Sequence, residues 1–302
     1  MRERGEWRTA LAMLGAASGV GLASGREIAL FLAQMKSAAW AGVLAASALY
    51  GLLTGGAVWF RQTAVRSGPE ALCEGLRLLL AALVAAFMLY RLGRLGALTL
   101  PLRHGYGFGA GFGLLAALAM ERLKPRGQAR LGLAVALVAG LFFLANALDV
   151  RPARLHMSGA VELTCAGNYA AALLMAVPYA ALTACAGVWR LRRLGPGAAD
   201  RPGALAVKSA ALLCSLLSLA VWALFRAGDA VMAQPMPWVV LSARWGLAGF
   251  YLCAGLQAVC AAQSLAVALG LFIGKIERGG TARVVGAMVL ALTLFCALSW
   301  NG

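Results

Sequence analysis

Gly19-Val20-Gly21-Leu22-Ala23-Ser24-Gly25-Arg26-Glu27-Ile28 is a glycine-rich, charged stretch inside the first long apolar run of this 302-residue chain. Three glycines and two charges within ten residues do not suit a continuous lipid-facing helix. Backbone that leaves helical geometry at membrane depth is tolerated only where protein buries it or where it lines a cavity, and in secondary transporters such interruptions hold substrate and coupling ion. The stretch is therefore the leading candidate site.

Composition points the same way, because 62% of residues are hydrophobic and only 13% are charged. Apolar runs of about twenty residues, each enough to cross a bilayer, recur along the whole length. The expected class is an all-α polytopic membrane protein. Nine spans are expected at roughly 10–34, 39–60, 71–97, 105–121, 129–148, 162–188, 205–226, 242–274 and 282–300. The net charge of +16, from 27 Lys and Arg against 11 Asp and Glu, would suggest nucleic acid in a soluble protein. Here the positive charges sit between spans, so the expected surroundings are lipid headgroups, with no nucleic-acid partner.

Seventeen of these cations fall in five clusters, at 2–8, 61–66, 122–130, 190–208 and 275–283, and six lie in the alternate loops. The positive-inside rule then places the N-terminus in the cytoplasm and, with nine spans, the C-terminus outside an inner or plasma membrane. The alternation also supports the span count, because merging or splitting a span would scramble it. A secretory signal cleaved at Ala23-Ser24-Gly25 is disfavoured, since apolar sequence resumes directly after Glu27. Residues 1–302 read as one transmembrane domain, with 189–204 as a cytoplasmic loop inside it. The break in span one has an expected counterpart near Ala166-Gly167-Asn168-Tyr169 in span six. Breaks in spans one and six suit an inverted repeat, with halves at about 10–148 and 162–300.

The first break has a local logic. Ser24-x-x-Glu27 fits a capping box, in which Ser accepts from a backbone N–H and Glu reaches back, so a second half-helix begins near Gly25. Its free N–H groups would favour a carboxylate, and the carbonyls around Gly19 to Gly21 would suit a cation. Glu27 is either a structural cap or a group that handles proton or substrate. Arg91 and Arg94, three apart on one helical face, either pair with Glu27 or an anionic substrate, or mark an early end of span three.

Other features carry less chemistry. Gly105 to Gly113 lacks the Lys-Ser/Thr ending of a phosphate loop, and its small-residue spacing suits close helix packing. The seven cysteines form no Cys-x-x-Cys and His104 and His156 are solitary, so no metal site is expected. Asn146 and Asn168 would line a cavity or bond neighbouring helices. No nucleophile or paired carboxylate implies an enzyme.

The 19–28 motif resembles the first-span signature G-x-G-F-A-S-G-Q-E-I of the YkvI-like bacterial membrane proteins. Further likenesses follow in order at Asn168-Tyr169, Met175-Ala176-Val177-Pro178-Tyr179, Gln234-Pro235-Met236 and Gln257 to Ser264. That family is similar to the amino-acid and cation symporters of the LeuT fold. The resemblance implies a LeuT-like core moving a small zwitterionic or anionic solute by alternating access. Gly19, Gly21, Ser24, Gly25 and Glu27 would form the solute and ion site, with Ala166, Gly167 and Asn168 facing them from span six. Arg91 or Arg94 would neutralise a carboxylate. Three departures stand out: Ala261 and Ala262 replace the threonines expected in span eight, Ala233 replaces an acidic residue, and no tenth span precedes Gly302. A proton rather than sodium is then the expected coupling ion, with no other cofactor. A membrane sensor or scaffold that keeps the fold is the competing expectation. The sequence carries no signal for an oligomeric state.

Overall fold

The computed structural model describes residues 2–63, 70–100, 102–149, 151, 168–193, 201–277 and 279–300. Among these, every regular element is helical. The chain begins with α1 (Arg2–Gly21), the short α2 (Arg26–Phe31) and a 3-10 segment at Ala33–Ala38. It continues through α3 (Ala39–Thr63), α4 (Glu70–Thr99), α5 (Gly105–Glu121) and α6 (Pro125–Leu148). After these come α7 (Tyr169–Arg193), α8 (Pro202–Ala227), α9 (Asp229–Met232) and α10 (Pro237–Ser242). A 3-10 turn at Ala243–Trp245 leads into α11 (Gly246–Ile276), and α12 (Thr281–Trp300) closes the series. Proline opens α6, α8 and α10, where a missing N–H costs nothing because the first turn has no acceptor for it.

Seven helical stretches are long and apolar enough to cross a membrane: 33–59, 74–99, 125–148, 169–191, 202–227, 237–276 and 281–299. The chain is thus a multi-pass helical membrane protein. The other two expected spans coincide with α1 and α2, which the break divides, and with α5, which at 17 residues is near the minimum for a crossing. The expected span at 242–274 differs in a useful way. Its helix α11 starts at Gly246, and the preceding α10 folds into the protein with all six residues buried. Residues 162–167 of the expected sixth span lie outside the described residues.

Helix α1 lies at the centre, packed against α6, α7, α8 and α11. One apolar cluster joins α1, α2, α3, α6, α7, α8, α9 and α10 with parts of α4 and α11; a second joins α4, α5, α11 and α12 with parts of α1 and α7. Large apolar side chains such as Leu52, Phe112, Leu174 and Leu247 stand exposed on the outer faces, as acyl chains require.

The glycine run of α5 is divided between two environments. A methyl group on Gly109 would lie 2.6 Å from the Gly96 Cα of α4, whereas one on Gly107 or Gly111 would meet nothing within 4 Å. Gly109→Ala therefore destabilises by about 1–3 kcal/mol through overpacking, while Gly107→Ala is neutral. Thermal melting of the two purified variants checks this contrast.

Charged pairs gather at both ends of the bundle. Glu6 pairs with Lys208, and Glu74 with Lys275 and Arg283. At the other end Lys36 meets Asp229 at 3.2 Å. Just beyond α6, Asp149 accepts from Arg151 Nη2 at 2.8 Å and from the Trp245 indole at 2.8 Å. These hydrogen bonds, that from Arg151 foremost, hold the Asp149 carboxyl well below the ordinary carboxylate range against the opposing pull of burial. A depressed carboxyl stabilises the fold above its unfolded value of about 4, and that contribution drains away as pH falls below it. The melting temperature of wild type should therefore exceed that of Asp149→Asn at pH 7, and the gap should close on acidification.

Candidate functional site

An α-helix leaves its last four carbonyls without intrahelical partners. At the end of α1 these groups lie in the protein interior, and side chains from three other helices supply donors. Ser18 O is met locally by the Leu22 N–H at 2.8 Å. Gly19 O accepts from Arg91 Nη1 of α4 at 2.7 Å, and Gly21 O from the Tyr179 hydroxyl of α7 at 2.9 Å. Leu22 O accepts from the Trp238 indole of α10 at 3.0 Å. The Trp238 backbone N–H also reaches Ser24 O, at 3.5 Å. The break is consequently held by tertiary contacts, because the Gly19, Gly21 and Leu22 carbonyls are met by side chains of α4, α7 and α10.

Chain direction across the break is set by Gly25, which caps α2 with φ of +79°. A side chain here would be strained, and it would also strike the Trp238 ring at 2.7 Å. The second half-helix thus starts at Arg26, next to the expected position. The capping box does not form as expected, because Gly25 rather than Ser24 takes the cap position. Ser24 Oγ accepts from the Arg26 N–H at 3.1 Å and donates to Glu27 Oε2 at 2.8 Å, so the two side chains bond each other.

Glu27 Oε1 pairs with Arg91 Nη2, and both side chains are largely buried. The Arg91 guanidinium lies 4.3 Å above the centre of the Phe87 ring. One planar cation therefore spans the break, joining the last turn of α1 to the first turn of α2. Arg91 is only 5% exposed, so span three does not end before it. Arg94, a turn further on and half-buried, lies 6.0 Å from the Tyr90 ring centre.

Several expected site residues are placed differently. Asn168 is exposed and serves as an N-terminal cap, its Oδ1 accepting from the Ala171 N–H at 3.1 Å. The residues facing Gly21 are Tyr179 and Thr183, inside continuous α7; a methyl group on Gly21 would stand 2.9 and 3.0 Å from their hydroxyl oxygens. They lie eleven or more positions beyond Asn168, about 16 Å further along the helix. Ala166 and Gly167 lie outside the described residues. Asn146 is buried and its Nδ2 donates to Phe142 O, a bond within its own helix.

Trp238, Tyr179 and Arg26 also meet the break. Trp238 and Tyr179 are aromatic residues with a polar tip, buried beside prolines at 237 and 178, which is the one local hint of their role. Arg26 is half-buried within electrostatic reach of Arg91, and among the described residues its guanidinium has no hydrogen-bond or ion-pair partner. No group of three or more His, Cys, Asp or Glu suited to a metal occurs among the described residues. No protein-family model matches this chain, and comparison with curated proteins finds none significantly similar.

Proposed function

We propose that this protein is a secondary transporter of a small zwitterionic or anionic solute, amino-acid-like in size. In this reading α1–α2 and α5 also cross the bilayer, giving nine spans with the N-terminus in the cytoplasm, and the chain is a divergent YkvI-like protein with a LeuT-like core. The observation that carries it is the charge balance at the break. Among the described residues, Arg91 already pairs with Glu27, and Arg26, the chain neighbour of Glu27, lies within electrostatic reach of Arg91 without a counter-ion. Ionisable side chains inside a membrane protein mark substrate or ion pathways by default. A solute carboxylate is the natural counter-ion for Arg26. Ion pairs at both ends of the first broken helix, Glu6–Lys208 and Lys36–Asp229, suit closures that can be broken and remade.

The test is thermal stabilisation of the detergent-purified protein against a panel of amino acids and small organic anions. A true ligand at about 100 times its Kd stabilises by about 2.7 kcal/mol. Arg26→Gln should lose that shift while keeping the unliganded melting temperature. Gly21→Val, which displaces Tyr179 from the Gly21 carbonyl, should lose it too. A second reading, a membrane sensor or scaffold, is favoured by the side-chain partners that already satisfy Gly19, Gly21 and Leu22 without a ligand. Flat curves from a well-folded protein would select it.

A further inference from the structure

We propose that the Arg91 guanidinium is a resident cation, seated where a coupling metal cation would otherwise be held, so that the break needs no monovalent metal ion. For its meaning in transport this rests on the function proposed above; its chemistry does not. The end of a broken helix offers a cation two kinds of oxygen, freed carbonyls and any acidic side chain nearby. At this break Gly19 O receives Arg91 Nη1 at 2.7 Å, and Glu27 Oε1 receives Nη2 of the same group. The guanidinium takes both because its donors form a rigid planar fork.

The α11 wall beside Gly19 offers one backbone carbonyl and one hydroxyl. Helix α11 lies directly against α1 here: a methyl group on Gly19 would stand 2.9 Å from the Ala261 Cα. Ala261 and Ala262 are buried and carry no side-chain oxygen, but Cys260 O, a carbonyl within continuous α11, and Ser264 Oγ each lie against the place where that methyl group would stand. Ser264 Oγ donates its proton to Ala16 O and keeps its lone pairs as acceptors. Hard metal ions are held by several oxygens at once, about six to eight for calcium. With the Gly19 carbonyl and the Glu27 carboxylate already bound to a guanidinium, the Cys260 carbonyl and the Ser264 hydroxyl are fewer than such a set. Phe87 completes the seat on the remaining side in a way that suits a guanidinium, with its ring face 4.3 Å away.

Because the cation is covalently attached to α4, it cannot be gained or lost during a cycle. Solute binding is then independent of sodium, lithium and potassium. Any movement of α1 relative to α4 must break the hydrogen bond to Gly19 or carry Arg91 along.

The experiment compares melting of the full-length protein in sodium, lithium, potassium and choline chloride at equal ionic strength, with no solute present. Wild type should melt at the same temperature in all four. Arg91→Ala should melt lower and become cation-responsive, with millimolar methylguanidinium, far below the denaturing range, recovering about half of the loss where choline recovers none. Adding Glu27→Gln to Arg91→Ala should remove that response, since the carboxylate is gone. A wild type stabilised by sodium, lithium or potassium over choline overturns the proposal, as does an Arg91→Ala variant that responds to none of these ions. If Arg91→Ala does not fold, Arg91→Lys serves, and its metal-insensitivity is then the expected result and metal stabilisation the refuting one. A flat solute panel would sink the transport reading and leave these outcomes intact. A wild-type response to metal would do the reverse.

Discussion

Arg91→Met should lower the stability of this protein by about 3–5 kcal/mol, among the largest losses that any single side-chain replacement here can cause. Three consequences combine in that loss. Glu27 is left as a buried carboxylate without its counter-ion, Gly19 O becomes an orphaned acceptor, and Phe87 loses the cation above its ring. The worth of the pair itself is smaller, because desolvating both charges offsets most of their attraction. Replacing both partners by apolar groups, as in Arg91→Met with Glu27→Leu, should therefore recover stability relative to Arg91→Met alone. Chemical or thermal melting of the wild type, the two single variants and the double variant measures the coupling. Additive losses would mean that the two side chains do not interact across the break.

Trp238→Ala should cost a comparable amount, about 3–5 kcal/mol. The indole is 1% exposed, its ring centre is 4.7 Å from that of Phe143, and its N–H satisfies Leu22 O. Trp238→Phe keeps the ring and loses only the hydrogen bond, so it should cost about 1–3 kcal/mol. The two variants also differ in what they expose. Cys260 is buried against Ala23 at the break and should be slow to react with a thiol reagent in wild type and in Trp238→Phe. In Trp238→Ala, where α10 no longer fills the space beside Gly25, peptide-resolved labelling should find Cys260 modified. Protection of Cys260 in all three proteins would show that Trp238 does not shield the break.

Much of the architecture was legible in residue order. The apolar runs foretold most of the long helices to within a few residues, although α1 begins eight residues earlier than expected and α7 is described only from Tyr169, because a bilayer-length hydrophobic segment has few alternatives to a helix. The interruption at Gly19 to Gly25 was legible for the same reason, since glycine density and charge conflict with a continuous span. The divided role of α5 was partly visible: close packing was expected of its glycines, but only the neighbouring Gly96 selects Gly109 as a contact and leaves Gly107 and Gly111 open. The capping box failed because a four-residue pattern cannot tell which residue takes the cap when an adjacent glycine adopts the left-handed conformation that the turn needs.

The site itself was half legible. That Arg91 would seek Glu27 followed from the cost of an unpaired charge at depth, and pairing was one of the outcomes expected. That Tyr179 and Trp238, 158 and 216 positions away, would bond Gly21 and Leu22 did not follow from any local pattern. Nor did the exposure of Asn168, whose capping of α7 takes it away from the break.

By itself, the sequence determined the class of the protein and the place of the break, because hydrophobic length and backbone strain are properties of short segments. Only the tertiary structure decided what fills the break. A carbonyl freed at the end of a helix accepts from any donor brought within 3 Å, and which donor arrives depends on how α4, α7 and α10 pack around α1. The guanidinium of Arg91 and the indole of Trp238 reach these oxygens through contacts between distant parts of the chain, which packing alone establishes.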